Sequence, residues 1–247
     1  MTLISSDIVI RELESVAELK HAEHFQREVW GVDDPADNSD LMLAIQHEGG
    51  LLAGAFKEDR MLGFLFGFPT SLPDVQHSHR LGVHPDSQGM GLGVKLKWFQ
   101  RDWCLARGIE SVRWTYDPLR AVNAGLNIAR LGATANTYYK DYYGVMKGIN
   151  AGVPSDRILA EWHLNTPKVK KHAAGDPPPL PSDSLTIAIP RDLDALLSED
   201  LEGAIKERIR VREALTEAFA QGYGISGFNK RSCEYLLAKP SQHLSEI

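Results

Sequence analysis

Apolar positions along this chain change period several times, and each change marks an element. Ile8-Val9-Ile10 is a short β-branched run and predicts a strand. Val16, Leu19, His21, Phe25 and Val29 then recur near helical spacing, and Gly31 is a natural stop. Gly31–Ser39 carries Pro35 among Asp and Asn residues and reads as a loop before a short helix over about Asp40–Glu48. Leu51–Phe56 and Met61–Phe68 predict a hairpin across the polar turn Lys57-Glu58-Asp59-Arg60. The second run is apolar at successive positions. It predicts a central strand covered on both faces, with Gly63 and Gly67 as sites of close backbone approach.

After a loop over Pro69–Gln76, His77–Val83 predicts a third strand. Gly91–Arg107 predicts a helix through Leu92, Lys95, Leu96, Phe99, Trp103 and Leu105, closed by Gly108. Val112, Trp114 and Tyr116 alternate with polar residues and predict a strand over Ser111–Tyr116. A helix over Ala121–Leu131 ending at Gly132, a β-rich run over Ala133–Tyr143, a loop over Lys147–Asp156 and a strand over Arg157–Leu164 follow.

The pattern then breaks. Asn165–Ser182 holds three lysines and Pro177-Pro178-Pro179, and reads as an extended linker. Beyond it come a strand (Leu185–Ile189), one long helical stretch (Asp192–Gln221) and a hairpin (Tyr223–Phe228 with Cys233–Ala238). In the helix, Leu193, Leu196, Leu197, Leu201, Ile205, Ile209, Leu215 and Phe219 make one broad apolar stripe, and Arg208, Arg210 and Arg212 read as a solvated face. Three segments result: a mixed α/β domain over 1–164, a Pro-rich linker over 165–183 and a strand-helix-hairpin extension over 184–247. Such an extension is marginal by size alone, so it is expected to pack on the preceding domain or on a second subunit.

Composition narrows the function classes. A net charge of -6 with no basic stripe argues against nucleic acid as a partner. No apolar run approaches the roughly 18 residues that a membrane helix needs. The acidic residue at Asp7 and the lack of an apolar core in Met1–Ser15 give no signal peptide. Two cysteines, Cys104 and Cys233, allow neither a disulfide framework nor a cysteine-based zinc cluster. The expectation is a cytoplasmic protein without a membrane partner.

The chemistry concentrates in Leu81-Gly-Val-His-Pro-Asp-Ser-Gln-Gly-Met-Gly-Leu-Gly93, a strand, a glycine-rich loop and a helix start. A helix N-terminus leaves its first backbone N–H groups unpaired and favours an anion. Glycines at 89, 91 and 93 would let a pyrophosphate touch backbone. A tight turn that only packs a helix on a strand would look the same. The spacing is G-x-G-x-G, not the dinucleotide G-x-G-x-x-G, although Asp117 stands near the position of that fingerprint's acidic residue. Lys95 lacks the P-loop context.

Val83-x-Pro85-x-x-Gln88-Gly89-x-Gly91-x-Gly93, placed after a hairpin and opening a helix, resembles the acyl-CoA signature of the GNAT acetyltransferase superfamily, and the element order over roughly residues 7–164 is similar to that superfamily. The resemblance implies a GNAT-like acyl-CoA N-acyltransferase fold, a mixed α/β sheet splayed between His77–Val83 and Ser111–Tyr116, with an additional C-terminal β-α-β-β segment. It implies acetyl-CoA as cosubstrate, with pantetheine on the backbones of Leu81 and Val83 and pyrophosphate on the amides of Gln88, Gly89, Met90, Gly91, Leu92 and Gly93. Asn123 would assist. The acyl group would pass directly to an amine acceptor, a small molecule or a peptide, and a homodimer is left open.

Departures from the pattern bear on catalysis. Aligned on Gly132, the superfamily's usual asparagine position is Ala121 and its usual tyrosine acid position is Ile128. Tyr138, among the tyrosines of the β-rich run, is the candidate replacement acid. His79, at even spacing from Leu81 and Val83, is the candidate base. Asp117 could bind the acceptor amine, and Cys104 reads as core. No metal is expected: His77 and His79 share a face but lack a third ligand. A non-catalytic acyl-CoA-binding protein and a nucleotide-dependent oxidoreductase are the alternatives.

Overall fold

The structure is a computed structural model and describes residues 8–144, 153–181 and 183–239. The chain divides into two compact units, Met1–Val112 and Arg113–Ile247. Part of the expected 147–156 loop lies outside the described residues.

In the first unit, β1 (Val9–Glu12), β2 (Leu51–Lys57), β3 (Arg60–Pro69) and β4 (Val75–Val83) pair antiparallel in chain order. Helix α1 (Val16–Trp30) starts at a capping box, Ser15 with Glu18, and stops at Gly31 as predicted. Helix α2 (Ser39–His47) is capped by Asn38. Leu19, Phe25 and Met42 from these helices pack with Leu52, Phe64 and Phe66 into one apolar cluster. Helix α3 (Leu92–Leu105) takes the opposite face of β3. A Cβ on Gly63 would stand 2.9 Å from the Leu96 side chain, and one on Gly67 2.7 Å from Gln76 Oε1. β3 is therefore buried on both faces, and its two glycines mark close approaches as the pattern implied.

β4 carries a bulge. Ser78 pairs with Gly67 and Arg80 with Phe66, so His79 is the extra residue. Beyond the bulge, Leu81 and Val83 lie on the α3 face, within 3.8 Å of a Cβ built on Gly93.

In the second unit the strand order is β5-β7-β6-β9-β10-β8: β5 (Ser111–Tyr116), β7 (Arg157–His163), β6 (Thr134–Tyr139), β9 (Gly224–Asn229), β10 (Glu234–Ala238) and β8 (Leu185–Ala188). β9 joins β6 at the pair Ala135↔Ile225. The C-terminal strands thus continue the sheet from β6, and the extension packs on its own chain.

The structure corrects several expectations. Asn165–Ser182 is not wholly extended: α5 (Pro167–Ala173), capped by Thr166, seats Val169 at 1% exposure. The long C-terminal helix is two helices, α6 (Leu193–Glu199) and α7 (Leu201–Ala220). Asp200, at φ -146, ends the first and caps the second through Gly203 N. This break rotates the stripe: the buried face of α7 is Ala204, Arg208, Val211, Leu215 and Ala218, while Leu201 and Ile209 are exposed. Arg208 is 2% exposed, not solvated. The helix predicted over Ala121–Leu131 is a short α4 (Ala121–Ala124) that widens into a π-helix over Gly125–Arg130.

Among the described residues no helix is long and apolar enough to cross a membrane.

Candidate acyl-CoA site

The loop between β4 and α3 has the form the glycines require. Pro85–Ser87 make one 3-10 turn, Gly89 follows at φ 81, and Gly91 stands at the N-cap of α3 at φ 73. Both conformations are left-handed, where a side chain is strained. A Cβ on either glycine would meet nothing within 4 Å, so the space before the loop is open. No side chain caps α3 and its first turn holds no acidic residue. The first-turn N–H groups therefore keep their donors and the positive end of the helix dipole for a ligand. Gln88, Met90 and Gly91 are exposed, while Leu92 is buried and anchors the turn. The one carboxylate of the loop, Asp86, is paired: Arg60 Nη2 lies 2.9 Å from its Oδ2. An anionic pyrophosphate fits this loop by conformation, space and charge.

His79 departs from its expected face. The bulge turns its ring away from Leu81 and Val83, onto the edge of Phe66 at a centroid distance of 5.4 Å. Nε2 lies 3.2 Å from Asp37 Oδ1. Asp37 is also paired with Arg80, whose Nε is 3.0 Å from Oδ2. Burial pushes the Asp37 carboxyl up, but the His79 hydrogen bond and the charges of His79 and Arg80 outweigh it and hold the group below the usual range. A carboxylate only accepts, so Nε2 carries a ring proton, and in the neutral ring Nδ1 then holds the lone pair. Among the described residues nothing bonds Nδ1. Asp37 was missed in the sequence because it sits in a loop 42 residues away, and no local pattern links the two.

The remaining predicted side chains divide. Asn123 lies half-buried in α4. Ile128 is 1% exposed, so the superfamily's usual acid position is filled by core. Tyr138 OH donates to Asp156 Oδ2 at 2.6 Å. Burial, then the bond to Asp156, pushes its pKa far above the ordinary value. The arrangement makes Tyr138 a poor proton donor and ties β6 to β7. Asp117 is not open to an acceptor: Arg208 Nη1 and Nη2 donate to its two oxygens at 2.5 and 2.7 Å. Cys104 is fully buried and its thiol is pushed up to about 12 by burial, in keeping with a core role.

Sequence reasoning also missed a buried polar group beneath α3. Lys97, 2% exposed, donates from Nζ to Gln100 Oε1 at 2.7 Å and Ser78 Oγ at 3.1 Å. Burial lowers its pKa to about 7. Its spacing from Gln100 and Cys104, three and seven residues, could have placed it on the buried face, whereas Lys95 is exposed.

Residues 13–124 match the model of the Acetyltransferase (GNAT) family. Among solved structures, the ribosomal-protein-S18-alanine N-acetyltransferase from Escherichia coli is similar at 21% identity and TM-score 0.54, over 65% of this chain and 96% of that one. The yncA protein from Salmonella typhimurium, solved with its cofactor acetyl-CoA, is similar at 20% identity and TM-score 0.54, over 65% and 96%. The chain has the GNAT fold. A GNAT phosphinothricin acetyltransferase from Sinorhizobium meliloti, in complex with acetyl-CoA, is similar at 15% identity and TM-score 0.51, over 62% of this chain and 86% of that one. Further C-terminal elements lie outside the residues of the family match. A search of curated proteins finds no match.

Proposed function

We propose that this GNAT-fold chain is an acetyl-CoA-dependent N-acyltransferase acting by direct transfer to an amine of a small molecule or peptide. The observation that carries the reading is the uncapped start of α3, with left-handed Gly89 and Gly91 before open space. Acetyl-CoA supplies the acyl group as an activated thioester. The amides of Gly89–Gly93 hold its diphosphate, the expected Gln88 amide being spent on Pro85 O, and the β4 backbone at Leu81 and Val83 orients the arm. His79 Nδ1 takes the proton that the amine must lose. Asp37 fixes the ring tautomer, and Arg80 fixes Asp37.

The buried Ile128 and the engaged Tyr138 hydroxyl favour a second reading, an acyl-CoA-binding protein without transfer activity. A thiol-release assay with acetyl-CoA over a panel of amines separates the two. Amine-dependent release of coenzyme A supports the enzyme. Coenzyme A binding without release for any amine supports the binder.

A further inference from the structure

In β4, Gln76 and Ser78 bond Gln100 and Lys97 of α3, so His77 between them points to the opposite face of the sheet. The bulge turns His79 to that face as well. There the two histidines meet Phe66 and Phe68 of β3. Phe68 stacks on His77 at a centroid distance of 4.9 Å and an interplanar angle of 24°. It stands 5.5 Å from His79 and 5.9 Å from Phe66, and the two histidines are 6.3 Å apart. All these distances fall within about 4.5–7 Å, the range in which aromatic rings attract one another. Phe66 is closed into the apolar cluster with α1 and α2, whereas Phe68 and His77 stay half-buried and His79 is exposed. Three of the four rings therefore form a rim with surface left for a further ring.

The loop beside this rim is acidic. Gly31–Asp40 holds Asp33, Asp34, Asp37 and Asp40 and neither lysine nor arginine. Asp37 reaches His79 at 3.2 Å, so the rim and the loop meet at that ring. Arg80 is spent on the loop itself. It donates to Asp34 Oδ1 at 2.6 Å and to Pro35 O at 3.0 Å, pairs with Asp37, and lies over the Trp30 ring at 4.8 Å. Among the described residues no base pairs with Asp33 or Asp40, and both are exposed. One guanidinium thus answers four carboxylates, and the excess negative charge favours a cationic ligand.

We propose that this rim and loop bind an arylalkylamine, a primary amine carried by a short chain on an aromatic ring, and that on the transferase reading this amine is the acceptor. Its ring lies against Phe68 and His77, and its amino group stands at His79 beside the acidic loop. An aliphatic amine satisfies the loop and leaves the rim uncovered, and a neutral aromatic alcohol does the reverse. Transfer to such an amine rests on the transferase reading, whereas its binding rests on the rim and the loop alone.

The test titrates phenethylamine and cyclohexylethylamine, alike in length and charge, separately into the protein. The imidazole signals of His77 and His79 are followed by NMR and assigned from His77→Asn and His79→Gln. Phenethylamine should bind saturably, shift both signals and bind about three- to tenfold more tightly than the cyclohexyl amine, the gain of aromatic pairs beyond buried area. Phenethyl alcohol, which lacks the charge, should bind more weakly than the amine. Phe68→Leu keeps apolar bulk and should erase the preference for the aromatic amine, while coenzyme A binds as in the wild type. No saturable binding of phenethylamine, equal affinity for the two amines, or an alcohol that binds as tightly as the amine would overturn the proposal. So would a preference that survives both Phe68→Leu and His77→Asn. Thiol release with acetyl-CoA separates the two readings. Equal kcat/KM for the two amines would overturn the aromatic acceptor and leave the transferase standing. Saturable binding of phenethylamine without release for any amine would leave the binding site and overturn the transferase.

Discussion

Arg208 and Asp117 are 91 residues apart in the chain and meet in a two-point ion pair, with side-chain exposures of 2% and 7%. The pair fastens α7 of the C-terminal extension to the end of β5. Asp117 Oδ1 also accepts from Leu119 N at 2.9 Å, which fixes the turn leading to α4. Tyr235 OH reinforces the same turn by donating to Pro118 O at 2.9 Å.

Removing one member of a buried pair leaves an uncompensated charge and costs about 3–5 kcal/mol. Arg157 still lies 4.0 Å from Asp117 Oδ2, so Arg208→Met should lower the unfolding free energy in urea toward the lower end of that range, about 3 kcal/mol. Arg208→Met combined with Asp117→Leu should recover part of the loss, since neither charge is then stranded. A single variant that costs under about 1 kcal/mol, the range of exposed pairs, would show that the pair does not hold the extension.

Lys97 predicts a pH dependence of stability. Its folded pKa, about 7, lies below the ordinary lysine value of 10.5. Below the lower value both states carry the proton, and above the higher one neither does. Between them only the unfolded state is protonated. Stability therefore rises with pH across that window, by at most about 1.4 kcal/mol per pH unit. Lys97→Met removes the charge at similar volume. The difference in stability between the variant and the wild type, in favour of the variant, should be at its plateau below about pH 7 and shrink toward about pH 9. Parallel stability-pH curves for the two proteins would contradict this account of the amine.

The first unit was legible because its pattern is local. The two-sided run Met61–Phe68, the stop at Gly31 and the glycines of the signature loop each act within a few residues. What was misread depends on partners far along the chain. Arg208 reads as surface until Asp117 is placed beside it. The α7 stripe shifted because Asp200 breaks the helix, and because Ala204 and Ala218 count little in a hydrophobic pattern though they pack closely. The bulge at His79 leaves no mark in a β-strand alternation, and counting by twos therefore put its ring on the wrong face.

His79 is expected to act with Asp37. His79→Ala should lower kcat by about 10²–10⁴-fold, the range for a general base, with coenzyme A affinity little changed. Asp37→Asn presents an amide that donates to Nε2 and favours the wrong tautomer. It should lower kcat in the same direction without reaching the full loss. Unchanged turnover and an unchanged pH–rate profile in His79→Ala would make the histidine a packing residue against Phe66 and Phe68.

Whether the start of α3 holds the diphosphate of an acyl-CoA is tested most directly by calorimetric titration of coenzyme A into the wild type and Gly91→Val. Valine strains the left-handed N-cap and fills the open space before the loop. The account predicts saturable binding of coenzyme A to the wild type, weakened about tenfold or more in the variant, with the folded state retained. Equal affinity in both proteins, or tight binding of NADH with none of coenzyme A, would contradict it.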